Sequence, residues 1–201
     1  MRRLTFLLAG IGLAACNDST GARVVQRNEA DLAFLRPAAD APPLVQITSS
    51  FWAVRGEDRE LRLSYRPRQG RTDSTDFLRL RVRDESLLSL PSGLPIAIGD
   101  SVLITVVVID PSRLIVEFQP AGLLFSRAAP AELDMRYPEA DRDYDDDGDV
   151  DGDDDDVEQR LRIWRQERLG DPWVQLSGSV RADVDEVKAD LTGFTRYAIA
   201  Y

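Results

Sequence analysis

Residues 101–118 read SVLITVVVIDPSRLIVEF, two runs rich in β-branched side chains that are joined by a short polar turn. Valine, isoleucine and threonine favour extended backbone, and the pair Asp110–Pro111 favours a turn. The spacing therefore predicts a hairpin of two strands, 101–110 and 113–118. Both runs are apolar enough to lie near the centre of a hydrophobic core.

Apolar and polar residues alternate on both sides of this hairpin. In ELRLSYR (60–66) the leucines and the tyrosine fall on one face, and DFLRLRVRD (76–84) and AELDMRY (131–137) repeat the pattern. A period of two is typical of strands that bury one face. Together with further short runs up to residue 201, it predicts an all-β fold, an antiparallel β-sandwich of about ten short strands over residues 44–201.

The arginines of the first two of these runs share the polar face. Such a row can bind an anionic ligand, but on an antiparallel sheet it is more often the solvated face, and we prefer that interpretation.

The charge of the chain is concentrated in one place. The net charge is −10, and residues 141–158 alone hold eleven Asp, Glu158 and Arg142, a net of −11, which leaves about +1 for the rest. A near-neutral domain with one acidic insertion argues against a nucleic-acid partner. The chain also has no histidine, which excludes Ser–His–Asp and Cys–His catalysis and the usual zinc sites.

The chain opens MRRLTFLLAGIGLAAC, with two arginines, an apolar run over residues 4–14 and the only cysteine, Cys16. The run is shorter than the about 20 residues that a membrane-spanning helix needs, and the layout is that of a secretory signal. The ending LAAC resembles the lipobox of bacterial lipoproteins. The resemblance implies that residues 1–15 are a cleaved signal peptide and that Cys16 carries the lipid; an ordinary signal and a short anchor are the alternatives.

This resemblance implies that the protein belongs to the bacterial cell envelope and is anchored to a membrane by its lipid. Asn17 after the cysteine slightly favours the outer over the inner membrane. With a single cysteine there is no disulfide partner. Residues 16–43 are rich in small, polar and proline residues, which predicts a flexible tether.

The acidic insertion contains the spacing D-x-D-x-D-G-x-V-x-x-x-D from residue 143. It resembles the calcium loops of dockerins and thrombospondin repeats. Alternating carboxylates converge on a hard cation, Gly148 permits the sharp turn, and Val150 is expected to hold the loop against the core. The resemblance implies Ca²⁺ as a structural cofactor, with the candidate ligands Asp143, Asp145, Asp147, Asp149, Asp151 and Asp154.

A second register starts at Asp147 and closes with Glu158. It lacks an apolar residue where Val150 stands in the first register, so the first is preferred. A solvated, extended acidic loop is the alternative to both, because blocks of like charge repel. After the loop, residues 157–168 fit helical spacing and also strand alternation, and a strand is preferred.

The C-terminal half resembles the Z-U module of ankyrins and netrin receptors. The matching residues are the turn Pro120, Gly122 and Phe125, the strand Leu133, Met135 and Tyr137, and the closing strand Phe194, Thr195, Tyr197 and Ala198. Gly193 stands where that family has histidine. The resemblance implies a sandwich module that is structural or binds a protein, without enzymatic activity.

No residue set outside the acidic loop predicts catalysis. We therefore expect a non-catalytic envelope protein with a possible protein partner in the envelope. The alternatives are a calcium-assisted carbohydrate-active enzyme, which would need two carboxylates in a cleft, and a sugar-binding module. The latter would need exposed coplanar aromatic side chains, for which Phe51 and Trp52 are candidates, whereas Trp164 and Trp173 are expected to pack together on facing strands.

Overall fold

The computed structural model describes residues 24–201, so the predicted signal peptide (1–15) and Cys16 lie outside the described residues. Fourteen strands occur in the described part. They are β1 (Gln26–Arg27), β2 (Thr48–Val54), β3 (Arg59–Ser64), β4 (Asp76–Val82), β5 (Leu87–Ser89), β6 (Ser101–Asp110), β7 (Ile115–Gln119), β8 (Leu124–Phe125), β9 (Ala131–Arg136), β10 (Arg162–Gln166), β11 (Trp173–Gln175), β12 (Gly178–Arg181), β13 (Glu186–Leu191) and β14 (Arg196–Ala200). One α-helix, α1, covers Gly152–Glu158, and short 3-10 turns cover Glu29–Asp31 and Ala182–Val184.

The strands form two main antiparallel sheets. The larger has the order β1-β11-β10-β14-β7-β6-β2 and the smaller the order β12-β13-β9-β4-β3, while β5 and β8 form a separate pair. The predicted all-β class with antiparallel pairing is thus confirmed. The described part has fourteen strands, whereas about ten were expected. Strands of two or three residues are too short to show an alternating pattern in the sequence, and only their pairing with a neighbour identifies them.

The predicted hairpin forms and lies in the core. Val102, Ile104, Val106 and Val108 of β6 point inward and are buried. They belong to one apolar cluster with the inward side chains of β4 and β9 from the other sheet. Burying each such side chain contributes about 1.5–3 kcal/mol, so the alternation of β6 is a main source of the attraction between the sheets.

The arginine row on the outer face of the smaller sheet is neutralised by carboxylates. Arg79 pairs with Asp134 on the neighbouring strand, and Arg62 lies 3.0 Å from Asp76. Lys188 approaches the same Asp134 at 3.4 Å from the other side. These pairs favour an ion-paired, solvated face over a patch for an anionic ligand.

The prediction of a flexible tether over residues 16–43 is wrong for the part that the structure describes. β1 pairs with β11, and the N–H of Leu35 donates to the carbonyl of Ile199 at 3.0 Å. Leu35 is buried in the main core, and Leu32 is buried on the outer face of the larger sheet. Residues 26–35 are therefore part of the folded domain.

This N-terminal segment is held because the outer face of the larger sheet is apolar at this point. Trp164, Trp173 and Ala200 are buried there, and Phe34 contacts Trp173 edge to face at 5.3 Å. Trp173 pairs with Gln166, two residues from Trp164, so the two tryptophans are diagonal neighbours on one face. Leaving this surface open would expose large aromatic side chains to water.

Replacing Leu35 by alanine tests this packing. Leu35→Ala should lower the free energy of unfolding by about 2–5 kcal/mol, because a buried leucine leaves a cavity. Leu169→Ala is the matched control, since Leu169 is 76% exposed; it should change stability by less than about 0.5 kcal/mol. Denaturant unfolding measures both, and equal effects of the two substitutions would mean that the segment does not pack.

Candidate metal centre

The acidic insertion connects β9 to β10 and is tied down at several points. Tyr144 is buried, and its carbonyl accepts a hydrogen bond from the hydroxyl of Tyr201, next to the last strand. At the base of the loop, Asp141 donates its N–H to the carbonyl of Arg36 at 2.9 Å. The loop is thus joined to both the C-terminal strand and the N-terminal segment.

Three of the predicted ligands come together. Asp143, Asp145 and Asp147 each offer a carboxylate oxygen, and these oxygens lie within 4.8 Å of one another. The carboxylate of Asp143 also accepts the N–H groups of Asp147 and Gly148, both at 3.0 Å. Gly148 has φ of 100°, a left-handed conformation that glycine adopts without strain. The predicted need for glycine at this turn is met.

Asp154 has a different role from the predicted one of closing the ligand shell. Its side chain is buried and accepts three backbone N–H groups, from Tyr144, from Asp145 at 3.3 Å and from Asp151 at 2.9 Å. These hydrogen bonds, first that of Asp151, hold the pKa of Asp154 below its ordinary value against the opposing effect of burial. Asp154 positions the backbone that carries the triad.

Asp154 also belongs to the first turn of α1, a helix that the sequence analysis missed. Asp151 is the N-cap of α1 and accepts the N–H of Asp153 at 2.8 Å, while Asp154 binds back to the Asp151 N–H, which completes a capping box. The sequence signal was an acidic residue three positions after another one, hidden by the surrounding aspartates. The strand preferred for the residues after the loop does form, as β10.

The prediction that Val150 holds the loop against the core is wrong. Val150 is 65% exposed, whereas Tyr144 and Val157 are buried in the main core. An aromatic residue and a residue of α1 therefore hold the loop, because the turn at Gly148 and the cap at Asp151 direct Val150 outward.

The remaining predicted ligands lie outside the group formed by the triad. Asp149 is exposed, Asp151 caps the helix, and Glu158, which closes the second register, is buried 3.7 Å from Arg142. Among the described residues, the triad is the only set of three or more acidic side chains whose oxygens lie close enough together to share an ion.

The charges of the loop are poorly compensated. Partial desolvation, and next the charge of Asp147, raise the pKa of Asp145 above its ordinary value. The charges of Asp147 and Asp151 do the same for Asp149. Arg36 forms a 2.9 Å pair with Asp146, but both side chains are exposed, so the pair relieves little of this repulsion.

The triad fits a hard cation. Oxygens that bind one Ca²⁺ at about 2.4 Å can be at most about 4.8 Å apart, and the three carboxylate oxygens lie within that distance of one another. Asp145 and Asp147 are exposed, so water can complete the shell. The arrangement could therefore hold a metal ion, which would also reduce the repulsion between the carboxylates.

Beneath the loop lies a second polar cluster that the sequence did not indicate. The hydroxyls of Tyr137 and Tyr144 and Oε1 of Glu158 are buried without a hydrogen-bond partner in the described part of the chain. Arg142 lies close by and donates to Asp185 at 2.7 Å. Buried groups of this kind are commonly satisfied by ordered water, and burial, the largest effect, raises the pKa of both tyrosines.

Phe51 and Trp52 do not form the coplanar pair that a sugar platform would need. Trp52 is 58% exposed, but its neighbour Phe51 points to the opposite face and packs against the core. Trp164 is buried, and its Nε1 donates to the carbonyl of Ala200 at 3.0 Å. Consecutive residues of a strand cannot present coplanar rings on one face.

Comparison with known proteins yields no match, whether to a protein family, a curated protein or a solved structure. Among residues 24–201, no helix has the length and apolar character needed to cross a membrane.

Two single substitutions distinguish the hydrogen bonds of Asp154 from the effect of removing one negative charge from the loop. Asp154→Asn should lower the melting temperature by several degrees, because the amide has one acceptor oxygen for N–H groups that now bind two. Asp153→Asn removes the same charge from an exposed neighbour and should leave the melting temperature nearly unchanged. If both variants have the same melting temperature, the hydrogen bonds of Asp154 do not organise the loop.

Proposed function

We propose that this chain is a lipid-anchored bacterial envelope protein whose β-sandwich is a non-catalytic structural or protein-binding module, stabilised by Ca²⁺ in the acidic loop. The observation that carries the proposal is the carboxylate triad in a loop that is hydrogen-bonded to the N-terminal segment. The loop and the route to the anchor are thereby parts of one structure.

The anchor would hold the domain close to the membrane. β1 begins at Gln26, ten residues after Cys16, so a lipid on Cys16 would keep the domain within about 35 Å of the bilayer. This linker of about ten residues is shorter than a tether reaching to residue 43 would be. A single lipid attached to a folded module suits a protein that presents a surface at the membrane, with the outer membrane favoured by Asn17.

A non-catalytic role is supported by the residue inventory and by the ion pairs. The chain lacks histidine. Carboxylates outside the loop that are buried, such as Asp134 and Glu139, are paired with Arg79 and Arg68. Paired carboxylates of this kind are typical of structural surface networks rather than of a general acid and base.

Calcium is favoured over other metals by the donor chemistry. Carboxylate and water oxygens suit hard cations, and Ca²⁺ accepts irregular shells more readily than Mg²⁺. Extracellular calcium modules have dissociation constants of about 10⁻⁴–10⁻³ M. At ten to thirty times such a constant, binding would add about 1.4–2 kcal/mol of stability.

Thermal unfolding of the detergent-solubilised full chain tests the metal. Millimolar Ca²⁺ should raise the melting temperature relative to chelator, followed by tryptophan fluorescence because Trp164 and Trp173 are buried. The variant Asp145→Asn, Asp147→Asn should lose this response, because two of the three convergent carboxylates are gone.

The matched control is Asp155→Asn, Asp156→Asn, which removes two exposed charges from α1 outside the triad. It should retain the calcium response. If both variants respond like the parent, calcium acts by general screening, and if the parent shows no response, the loop is a solvated charge run.

The anchor is tested in bacterial cells that are fed an alkyne-labelled fatty acid. The full chain should incorporate the label and sediment with membranes, whereas Cys16→Ser should lose the label because no other thiol exists. Asn17→Ala keeps the cysteine and should stay labelled. A labelled Cys16→Ser variant would contradict lipidation at this position.

A further inference from the structure

Strand β2 forms one edge of the larger sheet, and none of residues 24–201 pairs with its outer side. It is seven residues long, reads TSSFWAV and carries no charged residue. The other edges of the two main sheets differ, because β1 has two residues, β12 has four and ends in an arginine, and β3 reads RELRLS. Short or charged strands are the usual protection against pairing with another chain, and β2 lacks both features.

The register shows which backbone groups of β2 are free. Val108 donates to the carbonyl of Ile47 at 2.8 Å, and Arg55 donates to that of Asp100 at 2.9 Å. Hydrogen-bonded pairs alternate along an antiparallel ladder, so the odd-numbered residues of β2 bind β6. The N–H and C=O groups of Thr48, Ser50 and Trp52 consequently point away from the sheet.

The side chains beside this edge are also exposed and apolar. Trp52 is 58% exposed and pairs with Leu103, which is 45% exposed. They lie on the outer face of the larger sheet, whose other half is covered by Leu32 and Phe34. This half of the face has no such cover among residues 24–201.

We propose that β2 pairs with β2 of a second copy of this chain, antiparallel, about a two-fold axis at Ser50. This arrangement sets Ser50 opposite Ser50 and Thr48 opposite Trp52, and joins the two larger sheets into one. Each of the three residue pairs formed by the free groups can make two hydrogen bonds, about six in total. An uncharged strand suits this symmetry, because any charge near the axis would face its own copy.

The N-terminus of the same chain cannot take this place if it is processed at Cys16. It enters the larger sheet at β1, the edge opposite to β2. Six strand spacings separate the two edges, about 29 Å, and residues 16–24 span at most about 28 Å when fully extended. Nothing would remain to pair along β2.

Disulfide trapping tests the proposed pairing in membranes from cells that express the full chain. Ser50→Cys should give a disulfide-linked dimer on oxidation, several-fold more than Ser179→Cys, which places a thiol at the exposed edge β12. Adding Thr48→Lys and Trp52→Lys, both exposed, sets lysines opposite each other and should abolish the dimer of Ser50→Cys. Melting curves of the variants check that folding is retained.

Equal trapping at Ser50→Cys and Ser179→Cys, or a dimer that survives the two lysines, would overturn the proposal. A disulfide-linked product whose mass is not that of two copies would overturn it as well, because the edge would then pair with a different protein.

Discussion

Strand β14 is the element on which the other parts of the structure depend. One edge pairs with β10 along its whole length, and the other edge is divided between β7 and the N-terminal segment at residues 33–35. Its inward side chains, Tyr197 and Ile199, join the main core, while Ala198 and Ala200 are small enough for Phe34 and Trp164 to lie beside them. Since Tyr201, the residue after β14, also donates a hydrogen bond to the acidic loop, this part of the chain links the core, the N-terminal segment and the candidate metal centre.

The acidic loop shows how like charges can be held together in a folded chain. Backbone N–H groups converge on Asp154 and Asp143 and compensate the charge of these two carboxylates. Desolvation, and next the charge of Asp147, raise the pKa of Asp145, and the charges of Asp147 and Asp151 raise that of Asp149. The fold therefore keeps three carboxylates close despite their repulsion, and a bound cation would convert this cost into stabilisation.

The outer face of the larger sheet is divided in two by the path of the chain. Residues 26–35 cover the half formed by β10, β11 and β14, where the aromatic side chains are largest. The half formed by β2 and β6 is left uncovered by the described part of the chain and presents Trp52 and Leu103. An exposed apolar patch bordered by an unpaired strand edge tends to bind another chain. The half of the face at β2 and β6 is therefore the one suited to an intermolecular contact.

The sequence by itself determined the all-β class, the central hairpin and the alternating strands of β4 and β9, because a period of two follows directly from strand geometry. It also identified the three convergent aspartates and the glycine of their turn, because these residues lie within six positions of one another in the chain. Tertiary structure decided the rest. Leu32 and Leu35 have no periodic neighbours, so only the apolar surface beside β14 shows that they pack rather than belong to a tether. Likewise, Asp154 is one aspartate among many in the sequence, and its role depends on the N–H groups of Tyr144 and Asp145, which only the folded loop brings to it.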